Sequence, residues 1–511
     1  MFKKLTAFLL TAAMLFTVVS ISVSADSQVS VRTAVSGGAY SGRERLARQK
    51  NGDVLVRVYD NLASGLSSCS NNIDIQGTNN VVNYSQLTAV MNACLADHPE
   101  IFWFKGSYYR FGTEEKVFYI IPKYTTGGTD MENKGAAIKA ASKVYLAGID
   151  DNMSEYDRAK VIHDRLVAGI QYDISAANGA NIYGALVEGR ALCEGYAKAY
   201  QYLLRKAGIE AEFVTGSAGG ISHAWLLVKI DGEYYYNDIT WDDPLEGDES
   251  GNPVDSDPLH VINYCYFNVT TETLKKTHTI NNESDFPVCT ATTANYYTKN
   301  DFVLTEFNTD TIAALLMKNG GYARIYAGTD ALSESFADSF MNNASEIARK
   351  AGASGTLAVG ITVTGREFIP YIITSGTSVL TGSVFCGEGG SYTVSLTKKG
   401  ASTPFETVVC KGEYAFTGIE PGEYTLRAVS ESGCYSTCEI TAGNADIESC
   451  DMFITRYGDI NFDGNVDLTD LLRLKLVIAG SADKYNADGF SLTSENLPQK
   501  LVELQKMLLE P

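Results

Sequence analysis

The chain has 511 residues, of which 61 are acidic and 41 basic, giving a formal net charge of −20. That length exceeds what one hydrophobic core serves and predicts roughly three or four domains. The acidic balance argues against nucleic acid or an anionic membrane as partner.

Lys3 and Lys4 precede an apolar run from Leu5 to Val23 and the triplet Val23-Ser-Ala25. This is the pattern of a secretory signal peptide over residues 1–25, cut after Ala25, so a secreted, extracellular, soluble protein is expected. No other stretch approaches membrane-spanning length. Residues 26–54 are polar and Ser/Gly-rich and read as a loosely packed arm. Of the ten cysteines in the chain, Cys386, Cys410, Cys434, Cys438 and Cys450 cluster late, where any disulfides of an exported protein are expected.

Helices are expected over Ser85–His98 and near Lys134–Leu146, with a hairpin around Lys105-Gly106 between them. Ser154-x-x-Asp157 is a capping-box variant opening a helix with Ala159, Ile162, Leu166 and Ile170 on one face. His163 on that helix stands between polar neighbours and reads as a solvated or structural residue rather than a ligand. From Tyr196 the apolar positions Ala199, Tyr200, Leu203, Leu204 and Ala207 keep helical spacing, and Gly208 supplies a stop. Cys193 therefore falls at a helix N-terminus, where free N–H groups and the helix dipole favour a thiolate.

A hairpin follows. Residues 223–230 are apolar and β-prone, Asp231-Gly232 makes a two-residue type I′ turn, and Glu233–Ile239 return. With Ile230 opposite Glu233, His223 and Asp238 become diagonal neighbours on one face. A single bulge would bring in Asn237 instead. A thiol, an imidazole and a carboxylate in this order are the parts of a cysteine nucleophile, its base and the group that orients the base.

These residues resemble the transglutaminase-like cysteine acyl-transferase superfamily, with its papain-like Cys-His-Asp arrangement. The resemblance rests on Asp173, Tyr183-Gly-Ala-Leu-Val187, Cys193-Glu-Gly-Tyr-Ala197, His223-Ala-Trp225, Asp231-Gly-Glu-Tyr-Tyr235 and Asp238-Ile-Thr-Trp-Asp-Asp-Pro244. It continues to Tyr266-Phe-Asn-Val269 and Lys276-Thr-His-Thr279, and back to His98-Pro-Glu-Ile-Phe-Trp103. It implies Cys193 as nucleophile, His223 as general base and Asp238 as orienting group, acting on a protein or peptide amide without a catalytic cofactor. Arg190-Ala-Leu192 departs from the smaller residues, with a second glycine, expected before the nucleophile.

Residues 291–378 alternate strand and helix, with helices near Thr311–Lys318 and Ala337–Lys350 and a strand near Leu357–Val363, and are expected to form a small α/β accessory domain. Residues 379–455 carry short glycine-broken β runs and are expected to form a β-sandwich. Gly412-Glu-Tyr-Ala-Phe416 and Pro421-Gly-Glu-Tyr-Thr-Leu426 are similar to the carboxypeptidase-regulatory-like sandwich.

Near the end, Asp459, Asn461, Asp463, Asn465, Asp467 and Asp470 occupy positions 1, 3, 5, 7, 9 and 12 of an EF-hand-like loop, with Gly464 at position 6. Hard Ca²⁺ takes oxygen ligands at that spacing. Residues 456–511 thus resemble a dockerin, the helical module that plugs enzymes of cellulosome-type, polysaccharide-degrading complexes into a cohesin of a scaffold protein. Its second loop is degenerate, with Lys484 at position 1 and Leu492 at position 9. By the same resemblance, Leu468 and Thr469 lie where such modules choose their cohesin.

The expected fold class is α+β and multidomain. Residues 55–290 form the transglutaminase-like, papain-like catalytic domain with its N-terminal extension, followed by the accessory domain, the sandwich and an α-helical dockerin. The expected function is a secreted, scaffold-docked cysteine enzyme that cleaves or transfers acyl groups of peptide or glutamine amides. A catalytically silent adaptor that binds protein or carbohydrate is the alternative. Polysaccharide hydrolysis ranks last, because no paired carboxylates stand out.

Overall fold

The computed structural model describes residues 38–454, apart from 76–81, 126, 147–148, 150–151, 244, 248–252, 256–261, 319–320, 354–356, 375, 387–390, 411–412, 431–434, 444–446 and 451, together with Leu474. The expected signal peptide, the calcium loop Asp459–Asp470 and Leu468 and Thr469 within it lie outside the described residues.

The N-terminal layer holds α1 (Gly42–Ala47), α2 (Gly52–Ser67), α3 (Tyr84–Asp97) and a hairpin of β1 (Phe104–Gly112) and β2 (Val117–Tyr124). Leu55, Leu62 and Leu66 recur at helical spacing on α2, and they pack with Leu87, Val90 and Ile120 into a core of their own. Asn83 and Gln86 close a reciprocal capping box at the start of α3. Two expectations are corrected here. Residues 38–54 are not a loose arm: Leu46 is buried, and the Gly42 and Arg43 N–H groups donate to the buried Asp97 carboxylate at 2.7 and 2.9 Å. The hairpin does not turn at Lys105-Gly106. Gly106 has φ +72° beside a register shift in β1, a bulge that imitates a turn in sequence, and the chain reverses at residues 113–116.

The central layer contains α4 (Gly128–Tyr145), α5 (Glu155–Gly169) and α6 (Cys193–Lys206), set against an antiparallel sheet of order β6-β3-β4-β5. These strands are β3 (Ala211–Ala218), β4 (Ile221–Ile230), β5 (Glu233–Asn237) and β6 (His278–Ile280). Alternation splits the sheet. Ala224, Leu226 and Val228 join the core that also holds Leu203 and Leu204 of α6, while Trp225, Leu227 and Tyr236 pack with Leu274 and Ile280 on the other face.

Beyond it, β7 (Val303–Leu304), β8 (Ile325–Ala327), β9 (Leu357–Thr364) and β10 (Glu367–Thr374) form a sheet of order β7-β8-β10-β9, covered by α7 (Thr309–Lys318) and α8 (Asp330–Lys350). The expected boundary at residue 290 falls too early. Tyr296 and Tyr297 belong to the hydrophobic core of the central layer, and Tyr296 stacks on Tyr264 at 3.8 Å between ring centres. No change in composition marks that boundary. Residues 378–454 then form two four-stranded sheets around Leu380, Val394, Leu396, Phe416, Leu426 and Ala428. Cys438 in this part lies near Glu439, whose carbonyl oxygen accepts from its thiol at 3.7 Å. Among the described residues no helix is long and apolar enough to cross a membrane.

Candidate active site

Three local devices bring Cys193 to the mouth of a cleft. Gly189, in the left-handed region at φ +66°, ends a short π-helical turn over Gly184–Glu188. Arg190-Ala191 then pair in parallel with Gln171-Tyr172, and Arg190 forms an ion pair with Asp173. Leu192 caps α6 in an extended conformation, so Cys193 is the first residue of the helix. The first intrahelical bond there is Tyr196 N–H to Leu192 C=O at 3.0 Å, and the N–H groups before it lack intrahelical acceptors. Gly195 is obligatory, since a Cβ there would lie 2.2 Å from the Gly179 carbonyl oxygen.

His223 and Asp238 come from the hairpin. Asp231 and Gly232 both take positive φ, +50° and +90°, and the strands pair Ile230 with Glu233 through Leu226 with Asn237, the register expected from the turn. No bulge intervenes. Asp238 leaves the strand just after Asn237, and its Oδ2 accepts a bond from His223 Nε2 at 2.6 Å. Nδ1 is then the nitrogen left for Cys193, whose sulfur acts electrostatically on the ring and lines the same cleft. The structure thus brings Cys193, His223 and Asp238 together in the expected order.

Burial alone would depress the basicity of His223, yet the Asp238 carboxylate, its hydrogen bond and the Cys193 sulfur carry the imidazole up to about 10. Asp238 is fully buried, which would raise its pKa, but His223 and His278 together hold it below the ordinary value. The site therefore favours imidazolium beside carboxylate at neutral pH.

A second histidine, His278, also reaches the site, with no role foreshadowed by the sequence. Its Nε2 donates to the same Asp238 Oδ2 at 2.9 Å, its Nδ1 meets Thr277 Oγ1 at 2.8 Å, and its ring lies 4.8 Å from Trp241 and 5.0 Å from Trp225. The only signal in the sequence was a lone histidine forty residues downstream, which strand pairing alone makes adjacent.

His163 takes the structural of its two expected readings, being fully buried rather than solvated, with Nδ1 on Asp164 Oδ1 at 3.0 Å and Nε2 on Asp242 Oδ2 at 3.2 Å. The loop carrying Asp242 folds over α5 and covers it. Asp243 accepts from Tyr196 on α6 at 2.6 Å, so the paired aspartates tie the segment after Asp238 to α5 and α6.

His223, Asp238 and His278 could also converge on a metal ion, their ligand atoms lying within 4.8 Å of one another. Their separations of 2.6 and 2.9 Å are those of hydrogen bonds, and both imidazoles use the nitrogens a metal would need. A proton-sharing cluster fits these distances better.

Residues 144–240, which hold all three of Cys193, His223 and Asp238, match the model of the transglutaminase-like superfamily. The chain contains a transglutaminase-like domain. No curated protein matches the chain. Among solved structures, a TGase is similar at 16% identity and TM-score 0.20, over 26% of this chain and 44% of that one. A candidate cysteine protease from Cytophaga hutchinsonii is similar at 17% identity and TM-score 0.19, over 27% and 63%. A candidate protease from Parabacteroides distasonis is similar at 10% identity and TM-score 0.18, over 67% and 57%. The matches therefore span less than two thirds of each of these proteins.

The transglutaminase-like domain opens into a cavity of about 690 Å³. Cys193, His223 and Phe213 line it from the central layer, while Arg45, Leu46 and Asn92 line it from α1 and α3. That volume lies within the range of cavities that enclose small ligands.

Proposed function

We propose that the protein is a cysteine acyl-transfer enzyme acting on peptide or glutamine amides. The observation that carries the reading is the Cys193–His223–Asp238 chain at the head of α6, facing an open cavity. Cys193 sulfur attacks the amide carbon, and the N–H groups at the start of α6 receive the developing oxyanion. His223 gives its proton to the leaving amine as the C–N bond breaks, which leaves a thioester on Cys193. Water or an amine then attacks the thioester, His223 taking the incoming proton and Asp238 holding the ring. Water yields hydrolysis, and an amine yields a new amide.

The rest of the reading follows from sequence. The 1–25 segment has the pattern of an export signal, and the dockerin-like end suits attachment to a cohesin on an extracellular scaffold. Asp459, Asn461, Asp463, Asn465, Asp467 and Asp470 supply oxygen donors only, the set a structural Ca²⁺ takes when bound. Leu468 and Thr469 would face the cohesin.

The test incubates the mature protein, beside Cys193→Ala, with unfolded proteins and a labelled primary amine, and scores amine incorporation and new peptide termini by mass spectrometry. Either product, present only with Cys193, supports the reading. No product over a broad panel, with Cys193 inert to iodoacetamide, would leave the silent adaptor in its place.

A further inference from the structure

The cleft that Cys193 lines also carries an arginine held by an aromatic ring but, among the described residues, by no ion pair. Arg45 lies on α1, half-buried, with its guanidinium 4.7 Å above the ring of Phe286, and both residues line the cavity with Cys193 and His223. Its Nε is buried without a hydrogen-bond partner, and among the described residues no carboxylate forms an ion pair with it. The acidic groups that act on it are otherwise placed. Asp97 accepts from Gly42, Arg43 and Tyr59, Glu212 is bonded to Gly38 and Arg205, and Asp285 lines the same cleft unpaired with it.

Burying a guanidinium unpaired is costly, and the cost is recovered when a carboxylate arrives in the desolvated site. Stacking on Phe286 leaves the planar fork presented for two parallel bonds to such a group. Burial draws the pKa of Arg45 down, while Asp97, Asp285 and Glu212 oppose it, so the charge persists at neutral pH. Of the other cations on the wall, Lys198 is already engaged by Glu194 at 2.7 Å and His223 by Asp238 at 2.6 Å. Leu46, Phe213 and Phe286 provide apolar surface alongside, which fits the body of a peptide.

We propose that Arg45 is the anion anchor of the acyl-donor site, pairing with a carboxylate of a short acidic peptide whose reacting amide lies at Cys193. The proposal deepens the cysteine acyl-transfer reading and rests on it. It makes the substrates acidic peptides, and Arg45 the residue that selects them.

The test uses the full chain and a peptide set in which one glutamate, or glutamine in its place, is walked along positions flanking the reacting amide. At one position the glutamate peptide is expected to exceed its glutamine twin in kcat/KM roughly tenfold or more, the effect of a charge-assisted bond. Arg45→Gln brings that ratio towards one, Arg45→Glu shifts the preference to a lysine peptide, and Arg48→Gln, on the same face of the chain but bonded to Ala39 C=O, leaves the ratio unchanged. Calorimetry on Cys193→Ala with the same twins reads binding independently of turnover. Absence of Cys193-dependent product sinks the enzymatic reading. Equal binding of the twins, or a preference that survives Arg45→Gln, overturns the anchor even where turnover persists. Should the Arg45 variants fail to fold, a wild-type glutamate preference that does not weaken with added salt decides against it as well.

Discussion

Asp238 receives two imidazoles on one oxygen, and this sets the protonation of the site. His223 is the group beside the sulfur, whereas His278 bonds Asp238 and Thr277, which makes it a positioning residue. Asp238→Asn should lower kcat roughly 10²–10⁴-fold by removing the anion that orients and charges His223. Single-turnover assays beside an unchanged thermal midpoint would separate this from unfolding. His278→Gln should act more mildly, roughly 10–100-fold, as loss of a supporting partner does. Its signature is the pH profile. His223 is carried from 6.5 to about 10, so imidazolium should persist until the alkaline limb of kcat/KM near that value. A looser Asp238 should move the limb down towards neutrality while KM stays put. An unmoved limb would assign His278 to packing alone. The same raised pKa implies stability that is complete below 6.5 and lost as pH rises through about 10.

At the scale of elements, much of the site was legible because local chemistry fixes it. The Asp231-Gly232 pair dictated a two-residue turn, the turn dictated the register, and the register brought His223 to Asp238. The apolar spacing from Tyr196 likewise placed Cys193 at a helix start. What stayed hidden depends on long-range packing. His278 joins the site through pairing of β6 with β3, Arg45 through docking of α1, and His163 through a loop that folds back over α5. A bulge at Gly106 and a turn are also alike in a single sequence. Glycines test how closely the helix carrying the nucleophile is seated. Gly195→Ala would press a Cβ against the Gly179 carbonyl at 2.2 Å and push the start of α6 away. Displacement of a nucleophile by about 1 Å costs roughly 10²-fold in rate. Gly135→Ala, in α4 with open space around it, should instead stabilise by about 1 kcal/mol. Equal activity of the two variants would show that α6 tolerates the shift.

Across the whole molecule, the cleft exists because the N-terminal layer docks on the central layer through a buried polar node. Arg205 of α6 donates to the Asp97 carbonyl at 2.5 Å and to Glu212 Oε2 at 2.9 Å, and Glu212 Oε1 accepts from Gly38 N–H at 2.6 Å. Removing Arg205 would strand a buried carboxylate, so Arg205→Met should cost about 3–5 kcal/mol. Burial pushes Glu212 up to about 7, with Arg205 and the Gly38 N–H pulling against it and Asp97 adding to the rise. A carboxyl whose folded pKa exceeds its unfolded one takes up a proton on folding. Its contribution is complete below 4.5 and lost as pH rises through about 7. Denaturant titrations across that window should show wild-type stability falling with pH, and Glu212→Gln should flatten the slope by up to about 1.4 kcal/mol per pH unit, one proton's worth. The variant loses absolute stability as well, because a neutral amide pairs less strongly with Arg205, so the slope rather than the midpoint is the diagnostic. Parallel slopes would mean that Glu212 stays ionised throughout and that the node is a permanent ion pair. A flattened slope would make docking of the N-terminal layer, and with it the wall that carries Arg45, tighter in mildly acidic surroundings.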